Sequence, residues 1–517
     1  MARYKDKDKR RMIKRIKDIK IQEHIKKIRD DLVIDRLNAV EWVVLGIVVL
    51  AITLTLFYVD NLGMFLTYFW VNEELFNSGS IRFLGNNQLP YGIVQQWFCE
   101  LWVLPLNIAR RFVEFSSANT FTVFWFKLSM AFVMTLCMSE LKKTAEVLGI
   151  KSERIKWMLI LFASTILVAL PVFHIAQSDI LYTYISLIAI RQYLKGDHRK
   201  FLFFFALAIS CKAIAAIIFI PLVLLNEKRI LYIIRDSVAG VALFLVERVW
   251  YKLVDKLDTI IRSRTTQYVV TKTVVVETAQ ETVETVVEKT IDQTNTDFFS
   301  HFYNKALYFE FPAIRKGYMA SVLVTLFVLL CIWCYVQKKE EGKVWMQKSM
   351  YAVAIAWLIF FANSSPSPYW IVAMYPGVFL LMFMQPERIK TNMLVQSCFT
   401  YTMFLVYVVN TEWVYGGSCN LDYLLLKGLL KEGHDSVDGP YVARYLYNLG
   451  IKDYMNIVTA ICLAAAIAFT LINYHKIEIS DNMSETEEHK IMHGFAIWQI
   501  ATLGIWYVIN VWVVQRW

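Results

Sequence analysis

Residues Gln177–Leu225, QSDILYTYISLIAIRQYLKGDHRKFLFFFALAISCKAIAAIIFIPLVLL, decide how this chain is read. Gln177, Asp179 and Lys212 stand at the ends of long apolar runs. Ionisable groups are costly in or beside hydrocarbon, so a carboxylate and an ammonium placed there are functional candidates. What they do depends on which side of a membrane they occupy, and the rest of the chain has to answer that.

Of the 517 residues, 57% are hydrophobic and only 19% charged, below the ~25% of an average soluble protein. The charges gather in patches between apolar runs of about 17–22 residues, the length needed to cross a roughly 30 Å hydrocarbon core. An all-α polytopic membrane protein of about thirteen transmembrane helices is expected. Residues 1–36 lack the short apolar region and small-residue cleavage site of a signal peptide. Cys331 and Cys334 form a CxxC, but inside an apolar run, where packing accounts for them. His174, His301 and His434 have no ligand-like spacing, so no metal and no cofactor are expected.

The basic residues orient the chain. Segment 1–39 is dense in Lys and Arg, with Ile13, Ile16, Ile19, Ile25, Ile28 and Leu32 at near-helical spacing, as in an amphipathic helix lying on an anionic cytoplasmic leaflet. This is a membrane pattern; no nucleic-acid partner is expected. The first span, about 40–59, ends at Asp60. The run 92–113 carries Gln95, Gln96, Glu100, Pro105, Arg110 and Arg111 and reads as an interfacial helix, not a span. With it lying flat, the short basic loops around Lys142–Lys156, Arg191–Lys200, Lys228–Arg229, Lys338–Lys343 and Arg388–Lys390 all fall inside, as the positive-inside bias requires. Asp60, segment 61–118, Gln177, Asp179, Lys212 and the Ser365–Trp370 turn then converge on the outer face.

The expected organisation is a cytoplasmic segment 1–39, a transmembrane module 40–248, an outer loop 249–317 and a second module 318–517 containing an outer loop 410–453. In 265–290, Thr and Val make up 16 of 26 residues, which favours strands. Val276, Ala279, Val283 and Val286 also fit a helical stripe, so both forms stay open.

Each candidate has a plain alternative. Asp60 is either a helix-end carboxylate meeting water or a base beside the aromatic-rich loop carrying Glu73, Glu74 and Arg82. Ser178 or Asp179 is equally suited to cap the helix that follows. Lys212, between two apolar helices, must snorkel or find an anion, and a phosphate would serve. The turn SSPSPYW, with Tyr369 and Trp370, is either a connecting loop with interfacial aromatics or a substrate contact.

An apolar span, Asp60, a reentrant-looking outer loop, then AQ-x-D-x-x-Y-x-x-x-x-L-x-A and a lysine about 33 residues on: this order resembles the GT-C superfamily of membrane glycosyltransferases, nearest the bacterial relatives of the second mannosyltransferase of the glycosylphosphatidylinositol pathway. The likeness covers roughly 40–230. It implies a multi-pass plasma-membrane enzyme, N-terminus cytoplasmic, that moves a mannose-like hexose, with inversion, from a polyprenyl-phosphate-sugar donor to a glycan, lipid or protein acceptor at the outer face. Asp60 maps onto the family's base, Gln177 and Asp179 onto its Gln-x-Asp pair, and Lys212 onto the cation after it; on the chemistry alone, Lys212 or Arg82 would serve to steady the leaving phosphate. The chain departs in having Ala176 where relatives carry Gly. It also lacks an acidic doublet directly after the first span, the nearest being Glu73–Glu74, which reads against a metal-dependent variant. Rival readings are a lipid or saccharide transporter, and a surface-polysaccharide polymerase or ligase using His434 and Arg444 of the late outer loop.

Overall fold

Every regular element among the described residues is helical. That is the outcome apolar runs of this length dictate, because hydrocarbon offers no partner for backbone N–H and C=O groups and a helix satisfies them within one segment. The computed structural model describes residues 39–56, 63–86, 91–113, 120–270, 316–338, 340, 342–364, 367–410, 446, 448–474 and 485–516. The amphipathic segment 1–38, Asp60 and most of loops 249–317 and 410–453 lie outside them.

The first half comprises α1 (Ala39–Leu56), α2 (Gly63–Ser78), α3 (Ile93–Arg110), α4 (Thr120–Val147), α5 (Ser152–Ser164) and α6 (Ile166–Ala169), which runs on into a π-turn, Leu170–His174. Then come α7 (Asp179–Leu194), α8 (His198–Cys211), α9 (Ala216–Asn226) and α10 (Ile230–Val270). The second half holds α11 (Lys316–Val336), α12 (Lys343–Ala362), α13 (Met374–Phe383), α14 (Ile389–Asn410), α15 (Met455–Asn473) and α16 (Glu485–Arg516). Helix α7 packs on α4 and α8, α8 on α10, α12 on α13, and α14 on α15.

The described residues do not support thirteen spans. Four helices among the described residues are long and apolar enough to cross a membrane, or five if the bent pair Ser152–Ser164 and Ile166–His174, broken by 65°, counts as one. The physical reason is length. At 1.5 Å per residue the 16 residues of α7 reach about 24 Å, the 14 of α8 about 21 Å and the 11 of α9 about 17 Å, short of the ~30 Å core. Apolar runs that look like spans are interrupted, and the interruptions carry the polar residues. Helix α10 departs in the other direction. It does not end at 248 but continues through Val270, so residues 265–270, the start of the Thr/Val tract, are helical.

Large apolar side chains also cover outward faces of several helices. Leu231, Ile234, Val238 and Leu245 on α10, Val324, Val328 and Ile332 on α11, and Ile457, Ile461 and Leu471 on α15 all face outward. Helices hydrophobic on every side belong in lipid. At the end carrying the basic loops, buried ion pairs join distant helices: Arg154 Nε lies 2.6 Å from Glu488 Oε1, Lys156 Nζ 2.9 Å from Glu41 Oε1, and Arg191 pairs with Glu140. Cys331 and Cys334 are both free thiols on α11.

Candidate functional site

The approach to the site is a controlled break. After the π-turn, Gln177 N–H donates to Pro171 O at 2.9 Å, and Ala176 between them takes a left-handed backbone, φ 54°. A π-turn widens the helix and recurs at functional sites. The break turns Gln177, Ser178 and Asp179 inward together. Neither Ser178 nor Asp179 caps α7 through its side chain, so capping does not explain them. Ser178 Oγ instead accepts from Gln95 Nε2 at 2.5 Å, and Gln177 Oε1 accepts from Tyr91 Oη at 3.3 Å.

Lys212 arises from a second break. Helix α8 stops at Cys211, Lys212 is extended (φ −156°, ψ 116°), and a short 3-10 turn, Ala213–Ala215, leads into α9. Helix α9 packs mainly on α11 and α12, so the two arms do not form a closed hairpin. The carbonyl orphaned at Cys211 accepts from Gly92 N–H at 3.1 Å. Gly92 is required by proximity: a Cβ there would lie 1.3 Å from Ser210 O.

At this junction the Lys212 ammonium has found its anion. It donates to Asp179 Oδ1, and both residues are buried, Asp179 1% and Lys212 7% exposed. Four rings surround the same nitrogen: Trp370 at 4.3 Å, Tyr91 at 4.8 Å, Tyr369 at 5.4 Å and Tyr182 at 5.8 Å from Nζ to ring centroid. These are cation–π distances, strongest where water is excluded. Tyr182 Oη donates to Trp370 O at 3.2 Å, tying α7 to the 3-10 turn Pro368–Ala373. Residues far apart in sequence thus meet at one ammonium.

Helix α3 closes the cluster with its polar face turned in. Gln95, Gln96, Cys99, Glu100 and Asn107 are buried while Trp97, Leu101 and Ile108 are exposed, the reverse of a water-soluble helix. Gln96 Nε2 donates to Asn86 O and Tyr91 O at 2.8 and 3.0 Å, which fixes the Tyr91 turn. Glu100, on this helix that is not among the spanning candidates, accepts no hydrogen bond on either oxygen among the described residues. Burial pushes its carboxyl up to about 9, so it is neutral at physiological pH. Beside it on α10, Glu247 Oε2 accepts from Ser210 Oγ at 2.6 Å, and Tyr251 Oη donates to Tyr91 O at 3.2 Å.

Of the expected site residues, the fold gathers Gln177, Asp179, Lys212, Tyr369 and Trp370. It places three others in ion pairs away from it, Glu74 and Arg82 in one shared cluster where Arg82 Nη1 lies 3.9 Å from Glu74 Oε2. Glu73 Oε1 lies 2.6 Å from Arg110 Nη1. Glu74 pairs with Arg262, and Arg82 Nε lies 3.3 Å from Asp258 Oδ2. Arg262 Nε also reaches Asp258 Oδ2 at 2.9 Å, and Ser80 Oγ donates to Asp258 Oδ1 at 2.8 Å. This cluster ties the C-terminal half of α10 to the turn after α2. Asp60 lies outside the described residues. Sequence reasoning passed over Tyr91, Gln95, Glu100 and Tyr182. For α3 a signal existed, since Gln96, Glu100 and Asn107 recur at helical spacing and so share one face of an otherwise apolar helix. Tyr182 is the tyrosine of the quoted AQ-x-D-x-x-Y pattern, and only Tyr91 offered no signal. Among the described residues no three His, Cys, Asp or Glu side chains form a metal-binding group. Compared with known proteins, the chain matches no family model, no curated protein and no solved structure.

Proposed function

We propose that this chain is an integral-membrane glycosyltransferase of the GT-C type, transferring a hexose from a polyprenyl-phosphate donor to an acceptor hydroxyl at the outer face. The observation that carries the reading is the meeting of Asp179, Lys212 and four aromatic rings at one buried point. An ammonium has three donors and Lys212 gives one to Asp179, leaving two for a phosphate. In this reading Lys212 steadies the departing lipid phosphate and Asp179 positions Lys212. The acceptor oxygen bonds to the anomeric carbon as the carbon–oxygen bond to the phosphate breaks. The hydroxyl proton passes to a carboxylate, for which Asp60 remains the candidate, and the negative charge leaves on the lipid phosphate.

One observation favours transport instead: helix breaks occur in both halves, at Thr165 and Lys212 and again between Asn363 and Pro368. A covalent product separates the two. Cell-envelope glycans are compared by mass spectrometry from cells with the wild-type protein, with Asp60→Asn and with none. The transferase reading expects a hexose missing without the protein, and missing or scarce in Asp60→Asn, since losing a general base costs about 10²–10⁴-fold in rate. Identical glycans with and without the protein overturn it.

A further inference from the structure

Around the Asp179–Lys212 pair, six polar atoms are buried and make no hydrogen bond among the described residues: Tyr68 Oη, Gln95 Oε1, Glu100 Oε1 and Oε2, Asp179 Oδ2 and Trp370 Nε1. They are neighbours. The Cys99 thiol sits among Tyr68, Ser178, Glu100 and Asp179, Gln95 holds Ser178, and Lys212 lies between Asp179 and the Trp370 ring. Buried polar groups left without partners are costly, and a cluster of them calls for a ligand of matching chemistry.

Their types define that ligand. Three of the six are acceptor oxygens that need donors, Gln95 Oε1, Asp179 Oδ2 and the carbonyl oxygen of the neutral Glu100 carboxyl, whose other oxygen is a hydroxyl that donates. Tyr68 both donates and accepts, and Trp370 donates. A phosphate diester brings only acceptors and leaves these three oxygens unmet. A polyol brings a donor and an acceptor at each hydroxyl, and its C–H faces suit aromatic rings. We propose that the cluster of Tyr68, Gln95, Glu100, Asp179 and Trp370 is a saccharide subsite that reads the hydroxyls of a hexose ring, beside the lysine and not on it. The Glu100 carboxyl, kept neutral by burial, then both donates and accepts. This deepens the glycosyltransferase reading by separating the seat of the sugar from that of the lipid phosphate.

The test uses the full chain in lipid nanodiscs, with binding followed by saturation-transfer NMR. The probes are methyl α-mannoside, methyl α-glucoside and methyl β-galactoside, with choline and inorganic phosphate as comparators. At least one methyl hexoside is expected to bind saturably. Tyr68→Phe removes one hydroxyl and should weaken it about 3–10-fold, the scale of one neutral hydrogen bond. Glu100→Leu should weaken it more than about tenfold, since partner hydroxyls stay unpaired, while Glu100→Gln stays within about threefold. Tyr68→Phe leaves the shape of the side chain intact, so the test holds even where Glu100→Leu fails to fold. No hexoside binding, unchanged binding in Tyr68→Phe, or choline binding lost in Glu100→Gln overturns the subsite. Failure of the transferase reading looks different: hexosides bind through these residues while envelope glycans are unchanged by loss of the protein.

Discussion

Lys212 donates to Asp179 Oδ1 across 33 residues of chain, and the two bury each other's charge. Removing one partner of a buried pair strands the other, typically at about 3–5 kcal/mol, whereas replacing both is often close to neutral. Lys212→Met and Asp179→Asn should each lower the thermal midpoint of the protein in nanodiscs markedly. The double variant should recover most of the loss. A double variant as unstable as the sum of the singles would show that the pair is not coupled. Loss of donor binding in Lys212→Met alone is therefore weak evidence for phosphate contact; Lys212→Arg, which keeps the charge, is the better probe.

Ala176 occupies a left-handed conformation immediately before the Gln177–Asp179 turn. For an L-residue with a Cβ this costs roughly 1–2 kcal/mol, and glycine adopts it freely. Against that, glycine loosens the unfolded chain by about 0.4–1 kcal/mol. Ala176→Gly should therefore leave stability unchanged or raise it by up to about 1 kcal/mol, with the site intact. A fall of several degrees in melting temperature would mean that the Ala176 methyl packs in a way that outweighs the backbone.

Much of this was legible beforehand, for reasons that can be named. Hydropathy alone identifies a helical membrane protein, and the cost of Asp179 and Lys212 beside apolar runs marks both as worth watching. That they face each other was not legible, because the contact depends on two breaks, one at the Leu170–Ala176 turn and one at Lys212. Hydropathy averages over such breaks, which is also why the expected number of spans exceeds what the described helices support. Glu73, Glu74 and Arg82 looked like site residues because their partners, Arg110, Asp258 and Arg262, lie on helices that sequence distance hides.

The ionic cluster around Asp258 supports a prediction about α10. Asp258 is buried and bonded by Ser80 Oγ, Ile81 N–H, Arg82 and Arg262. Asp258→Ala leaves the Ser80 hydroxyl and the Ile81 N–H without their acceptor, while the two partly exposed guanidiniums keep Glu74, and it should cost about 1–3 kcal/mol, the scale for buried polar groups left unsatisfied. Arg82→Ala removes one partly exposed partner and should cost only about 1 kcal/mol. Amide hydrogen exchange should rise across 250–262 in Asp258→Ala and little in Arg82→Ala. Equal protection in both variants and wild type would show that the cluster does not hold the C-terminal half of α10.

Glu100 ties stability to pH, and the sign follows from its burial. Its carboxyl titrates near 9 in the folded protein against about 4.3 unfolded. Between those values the folded state keeps a proton that the unfolded state has lost, so stability falls as pH rises through the window. Its titratable neighbours Tyr68, Cys99 and Tyr251 do not confuse this, since burial raises each of them further, Cys99 to about 12. Glu100→Gln carries no proton to lose. Below about pH 4.5 it should match the wild type. From there to about pH 9 its advantage should widen, by at most about 1.4 kcal/mol per pH unit for one proton, and it should level off above. Melting temperatures of both proteins in nanodiscs from pH 5 to 9 read this directly. Parallel curves would place a charged Glu100 in the folded protein, which then needs a cation beside it and could not act as a neutral donor to a sugar hydroxyl.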